Sequence, residues 1–290
     1  MKKRLLSAFM ALALCLTLLP APAWAEEADA PEGGAPAADE QPAVQSEPAP
    51  QAVQAAEVAV AEVDGAKYNN IQEAFDAVKS NGGTLTLLAK CELPYTAGNR
   101  PSGSDASGSY TLDLYGHTLN AWLDLKTADS NLTVQDTAGS GKLQAPDNWD
   151  ALSVKAGSAT IKSGTLASSS KGSLITFGDW ENCGTLNIEG GSFETGRVYI
   201  GYSGGKTVIS DGDFHELQVY EVGGEKSNVS ISGGTFATVT LKGKITKEDI
   251  LASGYTFVNQ SDNSSASALT NVKVVSEKTV NALASLTVNG

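Results

Sequence analysis

The chain has 290 residues, 20 Lys and Arg against 33 Asp and Glu, a formal net charge of −13 and a mean hydropathy of −0.13. So acidic a chain has little with which to neutralise a phosphate backbone, which argues against a nucleic-acid binder. Three cysteines argue against a disulfide-stapled miniprotein, and two histidines leave little material for metal or triad chemistry.

Residues 1–25 read as a secretory signal peptide. Lys2, Lys3 and Arg4 form a positive start, an apolar run extends from Leu5 to Leu19, and Ala23 and Ala25 set a cleavage position before Glu26. The run is shorter than the roughly 20 apolar residues that span a bilayer, so export without a remaining membrane span is expected. Its loss removes three basic residues and leaves a net charge of −16. Residues 26–60 come next with eight acids, no Lys or Arg, and no aromatic residue. Such a stretch buries too little apolar surface to offset its ordering entropy, so it reads as a disordered, acidic Ala/Pro-rich linker. Composition does not separate a stalk from an inert leader. From residue 61 onward the chain is only mildly acidic, with 17 basic and 25 acidic residues.

The folded domain is expected over 61–257. Ile71, Ala74, Phe75 and Val78 recur at helical spacing and end at Asn81-Gly82-Gly83, which predicts an amphipathic helix lying over the first coil of the domain. TLTLLAKC after it reads as a first strand.

Beyond residue 158 the sequence repeats. Ala159–Leu166, Leu186–Phe193, Thr207–Phe214 and Val229–Phe236 align without gaps, and Ile161, Ile188, Ile209 and Ile231 are 27, 21 and 22 residues apart. Alternating apolar positions at a fixed period in the low twenties predict a solenoid in which each repeat is one coil. Glycine at 191, 212 and 234 suits a bend with positive φ. Stacking at about 4.8 Å per coil places Phe193, Phe214 and Phe236 in an internal ladder. A second strand continues in phase: Val198 and Ile200, Leu217 and Val219, Val239 and Leu241. Weaker copies at Leu112–Leu119 and Leu132–Leu143 bring the expected total to about six coils, with irregular excursions at 94–109, 144–150 and 167–173. ITKEDILASGYTF reads as a short helix or turn and a loose strand. Residues 258–290 read as a strand-like tail or partial coil outside the register. Cys91 and Cys183 remain after cleavage and either pair or stay free.

TLDLYGHTLN, NLTVQDTAGSGKL and the ISGGTF-type repeats resemble the right-handed parallel β-helix (pectin-lyase-like) domains of exported bacterial surface proteins. KYNNIQEAFDAVKSNGGTLTLL is similar to the capping helix and first strand of those domains. The resemblance implies an all-β fold, a right-handed parallel β-helix with an N-terminal capping helix. It says little about activity, because the fold hosts lyases, hydrolases, adhesins and inert stalks alike.

Two groups of residues are candidates for function. Asp211, Asp213, His215 and Glu216 are the densest polar group, but Asp211 and Asp213 fall in turn positions, where Asp is an ordinary choice. The second group points outward from the second strand, with Arg197 aligned to Gln218 and Thr240, and Tyr199 to Tyr220 and Lys242. Outward tyrosines beside Arg197 offer a platform for a sugar ring, with Trp180 and Tyr202 near the same edge. Gly201–Thr207 is one residue short of a phosphate loop and leads into a strand. The expected function is therefore a secreted or cell-surface monomer with a binding or structural role. Its partner would be a polysaccharide or a host or cell-surface ligand, with no nucleic acid and no cofactor. The other class to weigh is a polysaccharide lyase or hydrolase built from Asp179, Glu181, Asp211, Asp213 and Arg197.

Overall fold

The computed structural model describes residues 58–95, 103–168, 172–177, 184–201, 205–222, 224–226, 228–259 and 268–288. The signal segment, the acidic linker, Asp179, Trp180, Glu181, Cys183 and Tyr202 lie outside the described residues.

The described chain is all-β, with mostly parallel strands stacked in two large sheets of nine and fourteen strands. It alternates between them, so strands adjacent in space are one repeat apart in sequence. In the first sheet, Leu85, Leu112, Val134, Ile161, Ile188, Ile209 and Ile231 stand level on seven successive parallel strands. All seven are fully buried. The isoleucine spacing thus fixes the register, because a slip of one residue would turn every one of them to water.

Each strand then bends into the second sheet. At three of the bends Gly191, Gly212 and Gly234 have φ of 95°, 129° and 100°, a region in which a side chain is strained. Phe193, Phe214 and Phe236 come next and stack inside, with ring centroids 4.5 and 4.6 Å apart and planes within 11° of parallel. Aspartates tie the earlier bends. Asp113 accepts from the backbone N–H of Tyr115 and Thr137, and Asp136 from those of Gly116 and Gly141, across neighbouring repeats.

The helix α1, Ile71–Asn81, starts on the side chain of Asn70, which accepts from the N–H of Gln72. It buries Ile71, Ala74, Phe75 and Val78 against the first strands. Phe75 meets the buried Tyr110 edge to face at 6.1 Å.

Both ends of the parallel stacks are closed by antiparallel pairs. Ala61–Val63 pairs antiparallel with Ala66–Tyr68 and with Thr84–Leu87. At the far end the strand Ala268–Ser276 runs antiparallel to Thr235–Lys242 and carries Tyr255–Asn259 on its other side. The helix α2, Lys247–Ile250, packs Ile250 over the last strand of the first sheet. The tail departs from its strand-like reading. Residues 268–276 are a strand, as expected and outside the parallel register, but Glu277–Val288 form a helix, α3. Ala282, Leu283, Ala284 and Leu286 are good helix formers, and Glu277 sits favourably in the first turn, which outweighs the β-branched residues among them. Cys91 is a buried free thiol, and burial pushes it above the usual thiol range.

Candidate functional site

After its bend, each repeat contributes a second short strand, and these strands form one outward face. Inward-pointing residues fix their register: Leu123, Leu152, Ile175, Val198, Leu217 and Val239 are level and fully buried. The residues next to them in sequence point outward in one column. That column runs Asp105, Asp124, Ser153, Thr176, Tyr199, Gln218 and Thr240.

The strand pairing corrects the outward alignment expected from the sequence. Arg197 is level with Glu216 and Thr238, not with Gln218 and Thr240. Tyr199 is level with Gln218, while Tyr220 is level with Lys242. The cause is a bulge: Phe193 pairs with Phe214 at an offset of 21 residues, whereas Val198 pairs with Leu217 at an offset of 19. Residues 194–196 bulge out of the ladder, with Thr195 at φ 50°.

The two tyrosines nevertheless meet, as diagonal neighbours. Their ring centroids are 4.8 Å apart and their planes 41° to each other, and both are half-buried. Gly201 lies under the Tyr199 ring, where a side chain would collide with it. Below the rings a hydrogen-bonded chain fixes the surface. The Tyr220 hydroxyl donates to Gln218 Oε1 at 3.2 Å, and Gln218 Nε2 donates to Glu216 Oε1 at 2.5 Å. The Thr240 hydroxyl donates to the same Glu216 oxygen at 3.2 Å, and Arg197 Nε reaches Ser173 Oγ at 3.5 Å. Side chains held in this way cost little further entropy when a ligand arrives.

At the other end of the column is a cluster that sequence reading missed. Asp124 is fully buried, and its Oδ2 takes the ammonium of Lys155 at 2.8 Å and that of Lys126 at 3.5 Å. Its Oδ1 is buried with no hydrogen-bond partner. Trp122, one residue before Leu123, donates from Nε1 to Ser153 Oγ at 2.8 Å and stacks on Trp149 at 5.3 Å. The signal was present as Leu123-Asp124-Leu125 and Leu152-Ser153-Val154, the same apolar alternation as the later second strands, but no recurring glycine marks these copies.

Asp211, Asp213 and Arg197 do not converge in one column. Asp211 is exposed in the turn and accepts from the N–H of Gly212 at 2.9 Å. Asp213 is exposed, level with Ser192 and Thr235, and accepts from the Thr235 hydroxyl. The carboxylate level with Arg197 is that of Glu216. Among the described residues no group of three His, Cys, Asp or Glu side chains is arranged to hold a metal ion, and no helix is long and apolar enough to cross a membrane.

What the face offers is two rigid aromatic surfaces, a guanidinium and a row of fixed hydroxyl, amide and carboxylate groups at strand spacing. Comparison with known proteins finds no matching family model, no matching curated protein and no matching solved structure.

Proposed function

We propose that the chain is an exported, non-enzymatic protein whose domain is a right-handed parallel β-helix of pectin-lyase-like type, presenting a rigid outer face that binds a glycan at the cell surface or after release. The observation that carries this reading is the Tyr199–Tyr220 pair, held over Gly201 and braced by Gln218 and Glu216. A sugar ring sets its apolar C–H surface on aromatic faces and its hydroxyls on fixed polar neighbours, and both are side by side here. The seven level strands of the first sheet support the β-helix reading, and the antiparallel closures at both ends support a monomer.

Glycan-array screening of the mature chain, followed by calorimetry on the hits, tests the proposal. Tyr199→Ala and Tyr220→Ala are each expected to weaken binding about tenfold, the equivalent of ~1.4 kcal/mol, while the circular dichroism spectrum stays unchanged. No glycan bound at millimolar concentration, or binding indifferent to both substitutions, would overturn it. Release of new reducing ends or unsaturated sugars from a bound glycan would overturn the non-enzymatic part alone.

A further inference from the structure

On the stretch before the bulge, the strands Ser192–Ile200, Asp213–Val222 and Thr235–Lys242 leave a second open surface, and this one is concave. A groove of about 530 Å³ is lined there by Glu194, Thr195, Asp213, His215, Ala237 and Asn271, with the phenylalanine stack bordering its floor. The pairing explains its shape. Phe193, Phe214, Phe236 and Val272 are level, so the next outward residues across four strands are Glu194, His215, Ala237 and Asn271. Ala237 is exposed and by far the smallest of the four, and it leaves a gap between its neighbours.

The rim is built with some strain. Thr195 and Asn271 both have left-handed backbone, at φ 50° and 49°. That conformation is an outlier for a β-branched residue, and the Thr195 hydroxyl holds it by donating to Ser168 O at 2.7 Å.

The charge of the lining is one-sided. Glu194 and Asp213, diagonal neighbours on adjacent strands, are its carboxylates, and no Lys or Arg lines it. Glu194 has an ammonium contact from Lys142 at 3.2 Å, an exposed pair that water screens. An anionic ligand is therefore disfavoured and a protonated amine favoured, while Thr195, His215 and Asn271 offer polar partners around it.

We propose that this groove is a second ligand site, selective for a protonated amino sugar. The ammonium sits between Glu194 and Asp213, the ring lies over Ala237, and the hydroxyls pair with Asn271 and Thr195. The site is independent of the tyrosine platform, which lies beyond the bulge and carries different chemistry.

Calorimetric titration of the mature chain with glucosamine, N-acetylglucosamine and lysine amide, at a pH that keeps the free amines protonated, tests it. Glucosamine is expected to bind at least tenfold more tightly than either of the others. Ala237→Trp, which fills the gap from an exposed position, is expected to abolish that binding. The double substitution Glu194→Gln with Asp213→Asn is expected to weaken it at least tenfold with no change in thermal midpoint, which keeps the test decisive if the tryptophan disturbs folding. Tyr199→Ala with Tyr220→Ala should leave it unchanged. The proposal is overturned if glucosamine does not bind, or if the neutral sugar or lysine amide binds equally well. It is also overturned if glucosamine binding survives the carboxylate substitutions or is lost with the tyrosines.

Discussion

At the scale of single residues, the groups that matter most are those whose charge or proton is set by burial. Asp124 is a buried carboxylate whose two lysines are each about 40% exposed, so truncating it returns both ammonium groups to water rather than stranding them. Asp124→Ala should therefore cost about 1–3 kcal/mol in urea unfolding, less than the loss expected when a buried charge is left unpaired. Lys155→Met should cost less again, because Lys126 remains. Tyr110 is buried with its hydroxyl on Ala106 O, and desolvation, reinforced by the nearby Asp105 carboxylate, pushes the phenol well above its ordinary range. Burial acts on the Cys91 thiol in the same direction. In both cases the unfolded chain releases its proton at lower pH than the folded chain does. Stability is thus full below the unfolded values, about 8.5 for the thiol and about 10 for the phenol, and falls as pH rises beyond them. Denaturant midpoints measured from pH 7 to 11 should decline, and Tyr110→Phe should flatten the upper part of that decline.

At the scale of elements, the phenylalanine stack and the end helix carry separate predictions. Phe214 touches a ring on each side, whereas Phe193 touches a stacked ring on one side only. Phe214→Ala should cost about 3–5 kcal/mol and more than Phe193→Ala, with a coupling energy between them in a double-mutant cycle. In α2, Asp249 closes a capping box with Thr246 and takes the Lys226 ammonium at 2.7 Å, which with the Thr246 bonds holds its carboxyl at about 2. A depressed carboxylate contributes stability above its unfolded value near 3.9, and that contribution is lost as pH falls toward 2. Asp249→Ala should remove that acid dependence and cost about 1 kcal/mol at neutral pH. These elements also mark how far the sequence could be read. The isoleucine and phenylalanine ladders were legible because the interior repeats the same residue types and each bend needs a glycine. The outward columns were not, because three residues around Thr195 leave the ladder and nothing in their identity announces a two-residue change of offset. The Asp124 cluster was missed for a related reason. Its inward positions are ordinary leucines and a valine, and without a glycine at the bend the alternation did not stand out from its surroundings. In α3, local helix preference prevailed over a β-branched composition that suggested a strand.

At the scale of the whole molecule, the parallel stacks depend on their ends. The strand Ala268–Ser276 covers the edge of Thr235–Lys242 in antiparallel sense, and its hydrogen bonds replace those of a further repeat. Removing residues 255–290 should expose that edge, and light scattering should then show oligomers or aggregates where the intact domain is monomeric.

The same closures bear on how such a chain can change length. Each end structure pairs only with the strands nearest to it, and the repeats between them meet one another through equivalent ladders of apolar residues. Duplicating one segment of 21 or 22 residues, such as Ile188 to Ile209 or Ile209 to Ile231, would add a rung without asking either end to accept a new neighbour. Length in this architecture is therefore an inheritable quantity that changes in whole steps, with the outer faces growing by one residue per column at each step.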